Sequence, residues 1–109
     1  MRESGLVRKI KKAVEEKYPR AYCRKLADRF TRGLPDLLIL VPVFRKMAGR
    51  VWGVEATLTL MVETKTQDGR LSPIQIAEHE AITKSGGVVL VARDVETVLA
   101  YLEEQGAIQ

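Results

Sequence analysis

Five consecutive aliphatic residues, Leu37-Leu38-Ile39-Leu40-Val41, follow directly on Pro35-Asp36. The run is far shorter than the roughly 18 apolar residues a membrane span takes, and it lacks the alternation of a strand with one wet face. It therefore predicts a buried strand of a covered sheet, for which the rest of the chain must supply helices. At 109 residues, 46% hydrophobic and 29% charged, the chain has the makeup of one globular domain with one core.

The flanking segments fit that requirement. Leu6, Val7, Ile10, Ala13 and Val14 recur at helical spacing from about Glu3 until Tyr18-Pro19 ends the pattern. Ala21 to Leu26 reads as a short extended piece, followed by the polar loop Asp28-Arg29-Phe30-Thr31-Arg32-Gly33 and the strand Pro35 to Val41. Residues 44 to 50 carry turn-like Arg, Lys and Gly, and Val51 to Lys65 reads as one long bent strand or two closely joined. Ser72-Pro73-Ile74-Gln75 has the order of a helix start, with Ser at the N-cap, Pro at the first helical position and Gln at the third. That helix runs to about Lys84, where Ser85-Gly86-Gly87 breaks it. Val88 to Ala92 is a further strand, and Asp94 caps a last helix with Val95, Val98, Leu99 and Leu102 on one face. The order is α-β-β-β-α-β-α, one α/β domain over residues 1–109 whose sheet is flanked by helices.

Charge is unevenly distributed. Residues 1–50 hold 14 of the 18 Lys and Arg and five of the 14 acids, a balance of +9, whereas the remainder balances to −5. The basic half is the natural surface for a polyanion such as DNA, and equally the solvated face of a helix carrying Arg8, Lys9, Lys11 and Lys12. Cys23 and His79 are single representatives of their types, too few for a zinc set or an intrachain disulfide, so a bound metal would rest on carboxylate oxygens. With no apolar span and no signal-like start, a cytoplasmic, non-membrane protein is the expectation.

Chemistry concentrates where acids interrupt apolar strands. Asp36 heads a buried run, and a carboxylate there must be paired, solvated or bound to a cation. Glu63 and Lys65 are two residues apart on extended chain, so they share a face while Thr64 points to the other. Two acids and a lysine on one face suit a hard cation such as Mg²⁺, with the Thr64 carbonyl as a further ligand. Such a centre hydrolyses phosphodiesters by polarising a phosphoryl oxygen and activating water, with Lys65 orienting that water. Taken singly, each residue also fits a strand-entry acid or a surface ion pair.

The ordered set Gly33-Leu34-Pro35-Asp36, Glu63-Thr64-Lys65 and Gly69-Arg70-Leu71-Ser72-Pro73-Ile74-Gln75 resembles the VRR-NUC family of PD-(D/E)XK nucleases. The resemblance runs from Glu3 to about Ala92. It implies a restriction-endonuclease-like fold with a mixed central sheet, and a Mg²⁺- or Mn²⁺-dependent endonuclease acting on branched DNA such as four-way junctions, working as a homodimer. By resemblance Asp36 and Glu63 are metal ligands, Lys65 the catalytic lysine, Glu3 an outer or water-mediated ligand, and Gln75 a supporting residue. Lys25 occupies the place of the lysine ahead of the G-x-P-D loop, and Lys25, Arg29, Arg32 and Arg70 are candidate DNA contacts.

Other residues compete for these roles. Glu15 and Glu16 are alternatives to Glu3 on the first helix. Glu55 has Thr57 where a partner lysine would stand and is rejected as the catalytic glutamate. Ser72 and Gln75 also satisfy a capping box, His79 reads as a solvated or core-edge histidine, and Trp52 reads as core packing or a base-stacking surface. A less selective flap, nick or end nuclease and a non-enzymatic DNA-binding module are the alternative functions.

Overall fold

In the computed structural model, which describes residues 3–26, 32–46 and 53–109, four strands form one mixed sheet in the order β1-β2-β3-β4. The strands are β1 (Tyr22–Lys25), β2 (Leu37–Lys46), β3 (Gly53–Thr64) and β4 (Val88–Ala92). The helices are α1 (Glu3–Lys17), α2 (Pro73–Lys84) and α3 (Val95–Glu104), so the α-β-β-β-α-β-α order stands. Strands β1 to β3 run antiparallel, and β4 lies parallel to β3 after the crossover through α2.

Alternation along the strands divides the sheet into two unlike faces. Leu37, Ile39, Val41 and Val43 of β2 and Leu58, Leu60 and Val62 of β3 are buried with Leu6, Val7, Ile10 and Val14 of α1 and with Val98 and Leu102 of α3. These residues form the core, and α1 and α3 cover this inner face. The opposite positions, Leu38, Leu40, Pro42 and Met61, are only half-buried, and Phe44 is 53% exposed. The expectation of a strand covered on both faces is corrected here: α2, the helix on the outer side, buries none of its residues fully and covers only part of that face.

One boundary also differs from the sequence reading. Strand β2 continues through Phe44-Arg45-Lys46, residues with turn-like chemistry, because they pair with Gly53 to Glu55 at the far end of a long hairpin where polar side chains reach water. The chain after α3 supports the same stretch, with Phe44 N–H donating to the Gly106 carbonyl at 3.0 Å and Ile108 N–H to that of Pro42 at 2.9 Å. Of the two readings for Val51 to Lys65, the single long strand holds over the described part, Gly53–Thr64, as one arm of the hairpin.

Candidate active site

Local structure at the site end of the sheet begins with a break in register. Leu37 pairs with Val62, and the amide of Asp36 also donates to the Val62 carbonyl at 2.9 Å. Asp36 and the first β2 residue, Leu37, thus both stand against Val62 of β3, a β-bulge that bends the chain and re-aims the Asp36 side chain. The Asp36 carboxylate turns over the end of β3, where its Oδ2 accepts from both the Thr64 amide and the Thr64 hydroxyl, each at 2.8 Å. The bulge is entered from Gly33, whose φ of +83° suits glycine and whose Cβ, if added, would stand 2.7 Å from the Ile74 carbonyl oxygen. That close approach seats the Gly33-Leu34-Pro35-Asp36 loop against the first turn of α2.

Glu63, Thr64 and Lys65 are all buried, at 2%, 0% and 8% exposure. An ionised carboxylate and an ammonium at such depth need partners, and Glu63 has two from α2. Its Oε1 lies 3.1 Å from Nε2 of His79, and its Oε2 accepts from Nε2 of Gln75 over a longer 3.5 Å. Gln75 and His79 are one helical turn apart, so a single face of α2 supplies both. Helix placement follows from its cap: the Ser72 hydroxyl accepts from the Gln75 amide at 3.2 Å, and the Gln75 Oε1 accepts from the Ser72 amide at 2.9 Å. Gln75 is therefore both a capping residue and a Glu63 partner.

Burial holds the His79 imidazole below its ordinary pKa, with Lys65 acting in the same direction and Glu78 and Asp36 opposing it. Against a Glu63 carboxylate, which can only accept, the Nε2 nitrogen is the donor of this contact. Asp36 bonds Thr64 and Gln75 bonds Glu63, so the three sequence motifs converge on one spot. Sequence reasoning set His79 aside; its four-residue offset from Gln75 was the signal that could have found it.

The loop after Lys65 is fixed by Arg93, the residue that follows β4. Nη1 of Arg93 donates to the carbonyls of Thr66 at 2.5 Å and Gly69 at 2.7 Å. Leu6 and Lys9 of α1 line a cavity of about 810 Å³ with Lys65, Thr66 and Arg93, which places the N-terminal end of α1 beside the site. Glu3 opens that helix, but its side chain lies outside the described residues; Glu15 and Glu16 are exposed near the other end, with Glu15 bonded to Lys11 at 3.0 Å. Lys25, Arg32 and Arg70 are exposed, and Arg29 and Trp52 lie outside the described residues. Glu55 sits at the far end of the outer face, bonded to Arg20 at 2.6 Å.

The donor chemistry suits a hard divalent cation. Asp36 and Glu63 are oxygen donors from adjacent segments, each oriented by hydrogen bonds to its neighbours. Among the described residues no group of three His, Cys, Asp or Glu forms a cage, so such an ion would depend on water, backbone or substrate oxygens for the rest of its shell.

The model of the VRR-NUC domain matches residues 2–95. The chain belongs to the VRR-NUC family. VRR-NUC domains are nuclease domains of the PD-(D/E)XK superfamily, which generally uses divalent metals, and this chain is accordingly a nuclease-type, DNA-cleaving domain. A solved structure described as a VRR_NUC domain is 27% identical, with a TM-score of 0.64 over 94% of this chain and 97% of the other. A second, described as a VRR_NUC domain protein, shares the fold at 18% identity and a TM-score of 0.58, covering 92% of this chain and 87% of its own. Comparison with curated proteins found no match. The VRR-NUC fold thus accounts for why Asp36, Glu63 and Lys65 are placed at one end of the sheet.

Proposed function

We propose that this VRR-NUC domain is a Mg²⁺- or Mn²⁺-dependent endodeoxyribonuclease selective for branched DNA, acting as a homodimer. The observation that carries the reading is the buried Glu63-Thr64-Lys65 segment beside the bulged Asp36, with Thr64 on one carboxylate and Gln75 and His79 on the other. Asp36, Glu63 and the Thr64 carbonyl would hold the cation, with Glu3 reaching it directly or through water. A bound cation supplies Lewis acidity toward a phosphoryl oxygen and acidifies water.

The chain's own groups then divide the work. Thr64 fixes one oxygen of Asp36, and Gln75 and His79 fix the Glu63 carboxylate, so both acids are oriented before substrate arrives. Lys65 orients the attacking water and offsets charge developing on the phosphoryl oxygens. Lys25, Arg32 and Arg70 contact phosphates around the site. A homodimer fits junction cutting because two sites related by a two-fold axis can meet two strands of a symmetric substrate.

The test is incubation with a labelled four-way junction, a flap and a matched linear duplex in Mg²⁺, Mn²⁺ or EDTA, beside Asp36→Ala and Lys65→Ala. Metal-dependent cutting of the junction, lost in both variants, is the expected result. Equal cutting of every substrate would replace junction selectivity with a general nuclease, and binding without cutting in any metal would remove the enzyme reading.

A further inference from the structure

The outer face of the sheet carries a feature that the cleavage centre does not use. Tyr22 on the edge strand β1 is 49% exposed, and the Arg24 guanidinium lies over its ring, 5.1 Å from the centroid, with Nε donating to the Tyr22 hydroxyl at 2.8 Å. Arg24 stands opposite Leu38 and Tyr22 opposite Leu40, the two outer-face positions of β2 that follow Asp36. The pair therefore lies on the same side of the sheet as Glu63, and Lys25 follows it toward the site end where Asp36 turns over the end of β3.

Charge on this face favours a polyanion. The positions between the centre and the far end of β2 and β3, Leu38, Leu40, Thr57, Thr59 and Met61, carry no acid. The next acid, Glu55, is occupied by Arg20. A planar aromatic ring against a planar guanidinium, on an apolar and threonine-lined surface, is the chemistry that stacks nucleobases while a cation tracks the backbone.

We propose that Tyr22 and Arg24 form a stacking platform for an unpaired DNA base, about 14 Å from Asp36 by strand geometry. The platform rests on the nuclease reading for its substrate and deepens it. At the duplex spacing of about 3.4 Å per nucleotide the separation is about four nucleotides, and fewer for an unstacked strand. Recognition would then favour DNA whose strand is unpaired close to the cleavage position, as at a flap or an opened junction, over an intact duplex.

The experiment measures binding by fluorescence anisotropy in EDTA, where cutting is suppressed, for a single strand, a flap and a blunt duplex. Tyr22→Ala is expected to weaken the single strand and flap by about 5- to 150-fold, the worth of one base stack, and to leave the duplex near wild type. Tyr22→Phe, which keeps the ring, should bind like wild type. Thermal melting and sedimentation of each variant accompany the titrations. Unchanged single-strand and flap binding by a folded Tyr22→Ala would overturn the platform, as would an equal loss for the duplex. Conversion of a dimer to a monomer would also overturn it, by assigning this face to a second copy. If wild type binds the single strand in the expected pattern but cuts nothing in Mg²⁺ or Mn²⁺, the nuclease reading fails and the platform stands.

Discussion

His79 shows how much a site of this kind depends on residues beyond the acids and the lysine. Its Nε2 meets Glu63 at 3.1 Å, and a side chain that orients a metal-binding carboxylate typically contributes about 10- to 100-fold in metal affinity or activity. His79→Leu is therefore expected to raise the Mn²⁺ concentration needed for half-maximal cleavage by at least about tenfold. His79→Gln, which can present an N–H at a similar reach, should recover most of that loss. Equal metal titrations for His79→Leu and wild type would reduce the histidine to a packing role. Sequence hid this contact because it spans sixteen residues and depends on how the crossover turns α2, whereas the E-x-K spacing is local and was legible at once. Cys23 is a buried free thiol on β1. Desolvation pushes its thiol up to about 11, with Glu15 adding to the shift and Lys11 opposing it. Ellman's reagent at pH 8 should label the native protein far more slowly than the unfolded chain. The raised pKa also means that the thiol's contribution to stability is intact below its ordinary value of 9.0 and is lost as pH rises toward about 11. A native labelling rate matching that of the unfolded chain would show that the thiol is accessible.

Among the elements, α2 buries no residue fully, so its cap and its Gln75 and His79 contacts with Glu63 carry more of its placement. Ser72→Ala removes the reciprocal cap and should cost about 1 kcal/mol. In a domain of this size that is a drop of about 4 °C in Tm. Because Gln75 belongs both to the cap and to Glu63, the same variant should lose more cleavage rate than its stability change alone produces. A melting curve beside a rate measurement below Tm tests this; an unchanged Tm would show that the cap is not stabilising. Gly33→Ala acts on the other side of the contact: a side chain at φ +83° costs about 1–2 kcal/mol, and its Cβ would meet the Ile74 backbone. The variant should both melt earlier and cut more slowly, since it displaces the loop that delivers Asp36. Retained Tm and rate would mean that the loop relaxes freely. The caps at Ser72 and Asp94 could be read in advance because capping is a bond between residues three apart. The Asp36-Leu37 bulge, the strand character of Phe44 to Lys46 and the open outer face could not. Each is set by what lies across the sheet, through pairing partners distant in sequence and by how far α2 extends over it.

At the scale of the whole molecule, the fold separates cations that the sequence lists together. Arg8 and Lys12 are exposed on α1, which covers the inner face, whereas Glu63 takes an outer-face position at the end of the sheet and Asp36 turns over that end onto Thr64. Lys25 and Arg32 are exposed on the chain that leads into Asp36. Membership of one basic half therefore does not imply one DNA surface, and the two groups make opposite predictions. Each phosphate neutralised on DNA releases condensed counterions, so the logarithm of the binding constant falls against the logarithm of salt with a slope of about −0.9 per contact on a duplex. Lys25→Gln and Arg32→Gln should each weaken junction binding in EDTA and make that slope shallower by about one contact. Arg8→Gln and Lys12→Gln should leave the slope unchanged and shift affinity only slightly, because beyond about 10 Å at 0.1 M salt their field is largely screened. Anisotropy titrations across a range of salt concentrations separate the cases. A slope changed by the α1 variants as much as by Lys25 and Arg32 would mean that DNA wraps past the sheet onto the helix layer. A slope changed by neither would move the phosphate path to other cations, with Arg70 and Lys9 at the site end the next to substitute.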